Sequence, residues 1–255
     1  MKRSQLAAQL YTVREHCRDA AGLAASCAKI AAIGYRAVQV SGVGPIPPDE
    51  IRRICAGHGL TICATHEGGA IIVDEPQKVI DRLGALGCDA TAYPYPHVPI
   101  ATESDVRALA RRLDAAGERL RAAGMTLCYH NHANEFNRVG GRTALEWFYA
   151  ETDAKNLQGE PDTYWVQAGG GDPVAWCERL AGRLPLIHLK DYGADKDGKP
   201  VIAEIGAGNL AWDRILPAAE RAGCRWFIVE QDTCPGDPFD SLAISWRFLA
   251  PRCVA

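Results

Sequence analysis

Short apolar runs that end in polar residues alternate along this chain with longer amphipathic stretches. The runs cover residues 6–11, 37–40, 60–65, 88–93, 127–130, 157–162, 184–191 and 226–232. Helical periodicity marks residues 20–32, a segment opening at Pro48-Asp49-Glu50, and residues 75–86, 103–123, 143–152, 173–180, 212–222 and 240–249. Gly34 stops the first helix, and Asp49 and Glu50 put acidic residues in the first turn of the second. The sixth run is a strand by position rather than by propensity, because Gly159 weakens the ladder and Pro161 should end it.

Eight strands, each followed by a helix, predict a (β/α)8 TIM barrel occupying residues 1–255 as a single domain. A doubly wound open sheet is the rival architecture, and it would normally carry a phosphate loop. The nearest candidate, Gly42-Val43-Gly44-Pro45-Ile46-Pro47, puts proline where a dinucleotide fingerprint needs its third glycine, so it reads as a plain loop. Gly169-Gly170-Gly171-Asp172-Pro173 reads as a flexible turn in which Asp172 caps the next helix.

A chain of 255 residues with 47% apolar and 23% charged positions can bury a large core, and no Pro/Ser/Gly-rich linker divides it. A net charge of −3, with no cluster of basic residues, disfavours nucleic acid as a partner. No apolar run reaches the ~20 residues of a membrane helix, and the N-terminus lacks a signal-peptide core. The ten cysteines form no C-x-x-C pair and fall inside apolar patterns, where a free thiol behaves as a small hydrophobe; a reducing cytoplasm is the expected location.

The densest chemistry is Tyr129-His130-Asn131-His132-Ala133-Asn134-Glu135-Phe136, at the end of the fifth predicted strand. In a barrel the strand C-termini open onto one face, so His66, His130, His132, Glu135, Asp162, His188, Lys190, Glu230 and Asp232 would converge on one pocket. Taken singly, each is as well read as a salt-bridge partner or a solvated loop charge. Together, two glutamates, an aspartate and a histidine at one mouth would repel unless a cation shared them. An oxygen-rich set with one imidazole suits Mn²⁺ or Mg²⁺ before Zn²⁺.

Gln9-Leu10-Tyr11-Thr12-Val13-Arg14-Glu15, Tyr129 to Phe136, Asp162-Thr163-Tyr164-Trp165, His188-Leu189-Lys190-Asp191 and Val229-Glu230-Gln231-Asp232 together resemble the sugar phosphate isomerase/epimerase family of xylose isomerase-like barrels. The resemblance implies a TIM barrel with one divalent ion, most often Mn²⁺, with Mg²⁺, Co²⁺ and Zn²⁺ as the other candidates. It carries the metal ligands onto Glu135, Asp162, His188 and Glu230, with Glu135 and Glu230 doubling as the acid/base pair. Two departures stand out: His130 takes the strand-end position where many relatives have the first glutamate, so His132 competes with Glu135 as ligand, and Gln39 stands where many carry an acidic residue.

Such a site performs proton chemistry beside a carbonyl. His66, His130, His132, Trp165 and Lys190 are the expected substrate contacts. The expected function is a cytoplasmic, metal-dependent isomerase or epimerase of a sugar, keto-sugar or cyclitol, working through an enediolate. An inosose-type dehydratase is the close alternative. An endonuclease IV-like metal phosphodiesterase would need more histidines than the seven present, and a catalytically dead sugar-binding barrel would have no reason to keep four ligands. The expected partner is a small molecule, with no nucleic acid or membrane, and homo-oligomerisation is left open.

Overall fold

The computed structural model describes residues 1–254. Eight parallel strands form the barrel: β1 (Leu6–Gln9), β2 (Ala37–Val40), β3 (Thr61–His66), β4 (Ala90–Tyr93), β5 (Thr126–His130), β6 (Leu157–Glu160), β7 (Leu186–Leu189) and β8 (Trp226–Val229). They hydrogen-bond in the order β6-β5-β4-β3-β2-β1-β8-β7. Closure between β6 and β7 is brief: Asp162 and His188 form a parallel bridge, and His188 N–H donates to the Pro161 carbonyl at 3.0 Å. Pro161 does end the sixth ladder, as its missing N–H requires.

Gly159 lets that strand pack tightly, since a Cβ there would lie 2.7 Å from Leu180 and 3.2 Å from the Tyr149 hydroxyl. The fold differs from the sequence pattern at three places. β1 stops at Gln9, and Leu10–His16 coils as a 3-10 segment. Residues 69–74, which the periodicity assigns to no element, form a short helix (Gly69–Asp74) ahead of the helix Pro76–Leu86. The charged loop after β7 holds an antiparallel hairpin, Asp191–Ala194 against Pro200–Ala203.

Strand alternation sorts the apolar side chains into two layers. Leu6, Val38, Leu127, Tyr129, Ile187, Leu189, Phe227 and Val229 join the large cluster beneath the helices. Ala7, Ala37, Cys63, Ala90, Cys128, Leu186 and Ile228 form a second, smaller cluster inside the barrel. All ten cysteines are free thiols. Among the described residues no helix is long and apolar enough to cross a membrane.

Candidate metal centre and active site

The polar site is the next layer of the barrel interior. Two residues along each strand from the inner apolar cluster, the same face carries Gln9 after Ala7, Gln39 after Ala37, His130 after Cys128, His188 after Leu186 and Glu230 after Ile228. Glu160 and Asp162 close β6, and Lys190 and Asp232 follow His188 and Glu230 at the same spacing. Period-two geometry thus converts scattered sequence positions into one buried ring. All of these except Asp232 are buried.

Within the ring, His130, Asp162, His188 and Glu230 each offer a donor atom, and the four atoms lie within 4.8 Å of one another. His188 Nδ1 is 3.1 Å from Glu230 Oε2 and 3.7 Å from Asp162 Oδ2, and His130 Nε2 is 3.5 Å from the same aspartate oxygen. Asp162 is held from behind, since its Oδ1 accepts the Trp165 N–H at 3.0 Å as the N-cap of the helix Thr163–Ala168. That leaves Oδ2 facing the cluster. Oδ2 and His130 Nε2 are both buried without a hydrogen bond, although Lys190 Nζ forms an ion pair with Oδ2 at 3.0 Å. Buried groups of this kind call for a partner, and two imidazoles with two carboxylates fit a divalent ion.

A second set of contacts lies behind the cluster. The Gln39 amide oxygen is 2.6 Å from His188 Nε2 and accepts from Gln9 Nε2 at 2.6 Å, while Gln39 Nε2 donates to Glu160 Oε1 at 2.7 Å. The other Glu160 oxygen is 2.6 Å from His66 Nε2. His66 in turn stacks on His188, with ring centroids 5.1 Å apart and 15° between planes.

Charge balance explains the titration of these groups. Burial opposes the Asp162 and Glu230 anions, but Lys190 and the adjacent histidines hold both carboxyls below the ordinary range. Burial likewise opposes a charged His188 ring, yet Glu160 and Glu230 outweigh it and raise the ring to about 10. At His132 burial, reinforced by His130, outweighs the pull of Asp162 and Glu230 and lowers the ring to about 3.

Above the ring opens a cavity of about 370 Å³, lined by Tyr11, Tyr95, His66, His130, His132, Glu67, Glu230 and Asp232 among others. No lysine or arginine lines it. His132 meets Tyr95 edge-on at 5.1 Å and lies 5.1 Å from Trp165, so His132 forms an aromatic wall with Trp165 packed behind it. Lys190 lies under the floor, hydrogen-bonded to Asp232 at 2.7 Å and 2.6 Å from Glu230.

Asp162, His188 and Glu230 therefore come together as the sequence predicts, and Glu135 does not join them. Its buried carboxylate accepts from the Tyr129 hydroxyl at 3.0 Å and the His132 N–H at 2.8 Å, tying down the loop after β5. His130 supplies the fourth donor, because it is the β5 residue on the inward face; Glu135 sits five residues on, in a 3-10 turn. His132 faces the cavity rather than the donor cluster. Sequence reasoning passed over Glu160, although Glu160 and Asp162 share the two-residue spacing of His188 and Lys190.

Residues 27–250 match the family described as the xylose isomerase-like TIM barrel. The chain belongs to that family. Over 168 residues it is 27% identical to an inosose dehydratase of Lacticaseibacillus casei, a match covering 59% of this chain and 56% of that protein. The chain thus spans little more than half the length of this relative. Among solved structures, a sugar phosphate isomerase/epimerase from Parabacteroides distasonis ATCC 8503 superposes with a TM-score of 0.82 at 22% identity, covering 98% of this chain and 94% of that one. A xylose isomerase-like TIM barrel protein from Mycobacterium smegmatis, in complex with magnesium, gives a TM-score of 0.75 at 14% identity over 97% and 95% of the two chains. At these identities the structures show a shared fold. The relatives' names span isomerisation, epimerisation and dehydration.

Proposed function

We propose that this protein is a divalent metal-dependent isomerase or epimerase of an unphosphorylated keto-sugar or cyclitol. The observation that carries the reading is the buried group His130, Asp162, His188 and Glu230, two of whose donor atoms have no hydrogen-bond partner. These four side chains would hold the ion, with Mn²⁺ the first choice. When bound, a divalent ion supplies Lewis acidity that polarises a carbonyl and eases loss of the neighbouring C–H proton.

The chain's own groups supply the rest. Glu230 stays ionised and borders the cavity, so it serves as the base that removes the carbon-bound proton. His66 borders the same cavity from β3, three strands away round the barrel; its Nε2 is engaged with Glu160, and in this reading it orients the substrate across from Glu230. Lys190 balances negative charge that develops on a substrate oxygen. Tyr11, Tyr95 and His132 cover the apolar face of a ring and exclude water. The carboxylates Glu67, Glu230 and Asp232 in a lining without lysine or arginine disfavour a phosphate group, and with it phosphodiester cleavage.

Dehydration is a second reading, favoured by the match to inosose dehydratase. It begins with the same C–H cleavage and then expels a hydroxyl from the adjacent carbon. The test is hydrogen exchange in D₂O with Mn²⁺ and a panel of ketoses and keto-cyclitols. Deuterium should enter next to the carbonyl, and Glu230→Gln should suppress that exchange more than it suppresses substrate binding. Turnover without deuterium incorporation overturns both readings.

A further inference from the structure

Glu160 and Gln39 line none of the described cavity, yet they form the most constrained polar contacts in the barrel. Both are fully buried, and each side chain meets at least two others at 2.6–2.7 Å. A primary amide has one end that accepts and one that donates, and its orientation follows from what its neighbours are able to do. The Gln9 amide oxygen accepts the Tyr11 backbone N–H, so Gln9 presents its NH₂ group to Gln39, and the Gln39 atom that receives it is the carbonyl oxygen. The end of Gln39 that faces Glu160 is therefore the NH₂ group. The carbonyl end is left facing Gln9 Nε2 and His188 Nε2, at 2.6 Å from each.

A carbonyl oxygen cannot donate, so the close contact with His188 requires that Nε2 carry the hydrogen. The ring's other nitrogen, Nδ1, is the atom directed at Glu230 Oε2 and Asp162 Oδ2.

We infer that Glu160 and Gln39 are positioning residues: Glu160 accepts from the Gln39 NH₂ group and holds that amide in place, and the amide fixes His188 as a donor at Nε2, reserving Nδ1 for the ion. The inference rests on the proposed metal reading only for what Nδ1 binds. It also explains why an uncharged amide serves at position 39. A glutamate there would turn an acceptor toward the Glu160 carboxyl across the same 2.7 Å contact, where the amide turns a donor.

The experiment uses the full chain with ¹⁵N-labelled histidine and Zn²⁺ as a diamagnetic probe. Wild-type protein should show a slowly exchanging, low-field His188 proton on Nε2 and a Zn²⁺-shifted Nδ1 resonance. Gln39→Met, close to isosteric but without the amide, should lose the protected proton and weaken Zn²⁺ binding by about 10–100-fold, the usual effect of removing a ligand's hydrogen-bond partner. Glu160→Leu should behave like Gln39→Met. Glu160→Gln, whose carbonyl still accepts from Gln39, should restore both signals to within a few-fold, which a merely structural role for the charge would not do. Zn²⁺ found on Nε2, or Gln39→Met binding Zn²⁺ as tightly as wild type, overturns the inference. If wild type binds no divalent ion, the metal reading fails by itself. The relay then stands or falls on the metal-free protein, by whether the His188 Nε2 proton is protected in wild type and lost in Gln39→Met. If either apolar variant fails to fold, Glu160→Gln and the wild-type spectra decide, since an Nδ1-protonated, Nε2-coordinated His188 would overturn the inference without any variant.

Discussion

The ammonium of Lys190 stands 2.6 Å from Glu230 Oε2 and 3.0 Å from Asp162 Oδ2, the same two oxygens that approach His188 Nδ1. A dication and this ammonium compete for one pair of charges. Lys190→Met should therefore raise Mn²⁺ affinity by about tenfold or more, and enlarge the gain in melting temperature on adding Mn²⁺, since ligand binding stabilises in proportion to ln(1 + [L]/Kd). Turnover should fall. Calorimetric titration showing equal affinity in variant and wild type would remove Lys190 as a competitor.

His188 gives the metal-free protein a pH dependence of known sign. Its ring is raised from 6.5 to about 10, so the stability gained from its charged contacts is fully present below pH 6.5 and is lost as pH rises through about 10. The melting temperature of metal-free protein should decline across that interval. Metal binding runs the other way, because the ion displaces the ring proton, so Mn²⁺ affinity should increase with pH over the same window and binding should release protons. Titrations in buffers of different ionisation enthalpy measure the release, and proton-neutral binding would contradict it.

The donor set separates His130 from Glu135. His130→Ala should weaken Mn²⁺ binding by at least about 100-fold, since losing a donor costs no less than losing a donor's hydrogen-bond partner. Glu135→Gln should leave affinity within a few-fold, since its carboxylate is engaged by Tyr129 and the His132 N–H. The reverse ranking would return Glu135 to the ligand position.

Asp191 organises the segment beyond β7. Its buried carboxylate accepts from the backbone N–H groups of Tyr192, Gly206, Gly208 and Leu210 and from Trp212 Nε1, at 2.6–3.2 Å. An asparagine would turn a donor toward some of these donors. Asp191→Asn should cost about 2–3 kcal/mol in urea unfolding, the scale of charge-assisted bonds lost in a buried place. A change near zero would mean the loop holds itself.

Gly117 lies inside the helix Glu103–Ala122, where propensity alone predicts that alanine would stabilise by about 1 kcal/mol. The structure reverses the sign, because a Cβ at Gly117 would sit 1.9 Å from the backbone oxygen of Asn156, just before β6. Backbone cannot swing aside as a side-chain tip does. Gly117→Ala should destabilise by about 3 kcal/mol, at the high end of overpacking costs, read from the unfolding midpoint.

Periodicity in the sequence was enough to specify the barrel, because a strand buried on both faces and a helix with one apolar stripe leave different local signatures. It also specified that Asp162, His188 and Glu230 would share a site, since each ends a strand and parallel strands share one C-terminal face. Even the weak sixth strand was legible, Pro161 marking its end. Which histidine or glutamate near β5 turns inward was not legible from the motif; it was decided by strand register, which directs His130 into the barrel and carries Glu135 past the strand end into a turn. Glu160, and with it the roles of Gln9 and Gln39, stayed hidden for a related reason. An isolated glutamine or glutamate in a sequence has no direction, and only the closed barrel brings β1, β2 and β6 near enough for one amide to bridge Gln9, a carboxyl and His188. The competition between Lys190 and a metal is likewise a fact of distance, invisible in a sequence where Lys190 and Glu230 are separated by a hairpin and a helix.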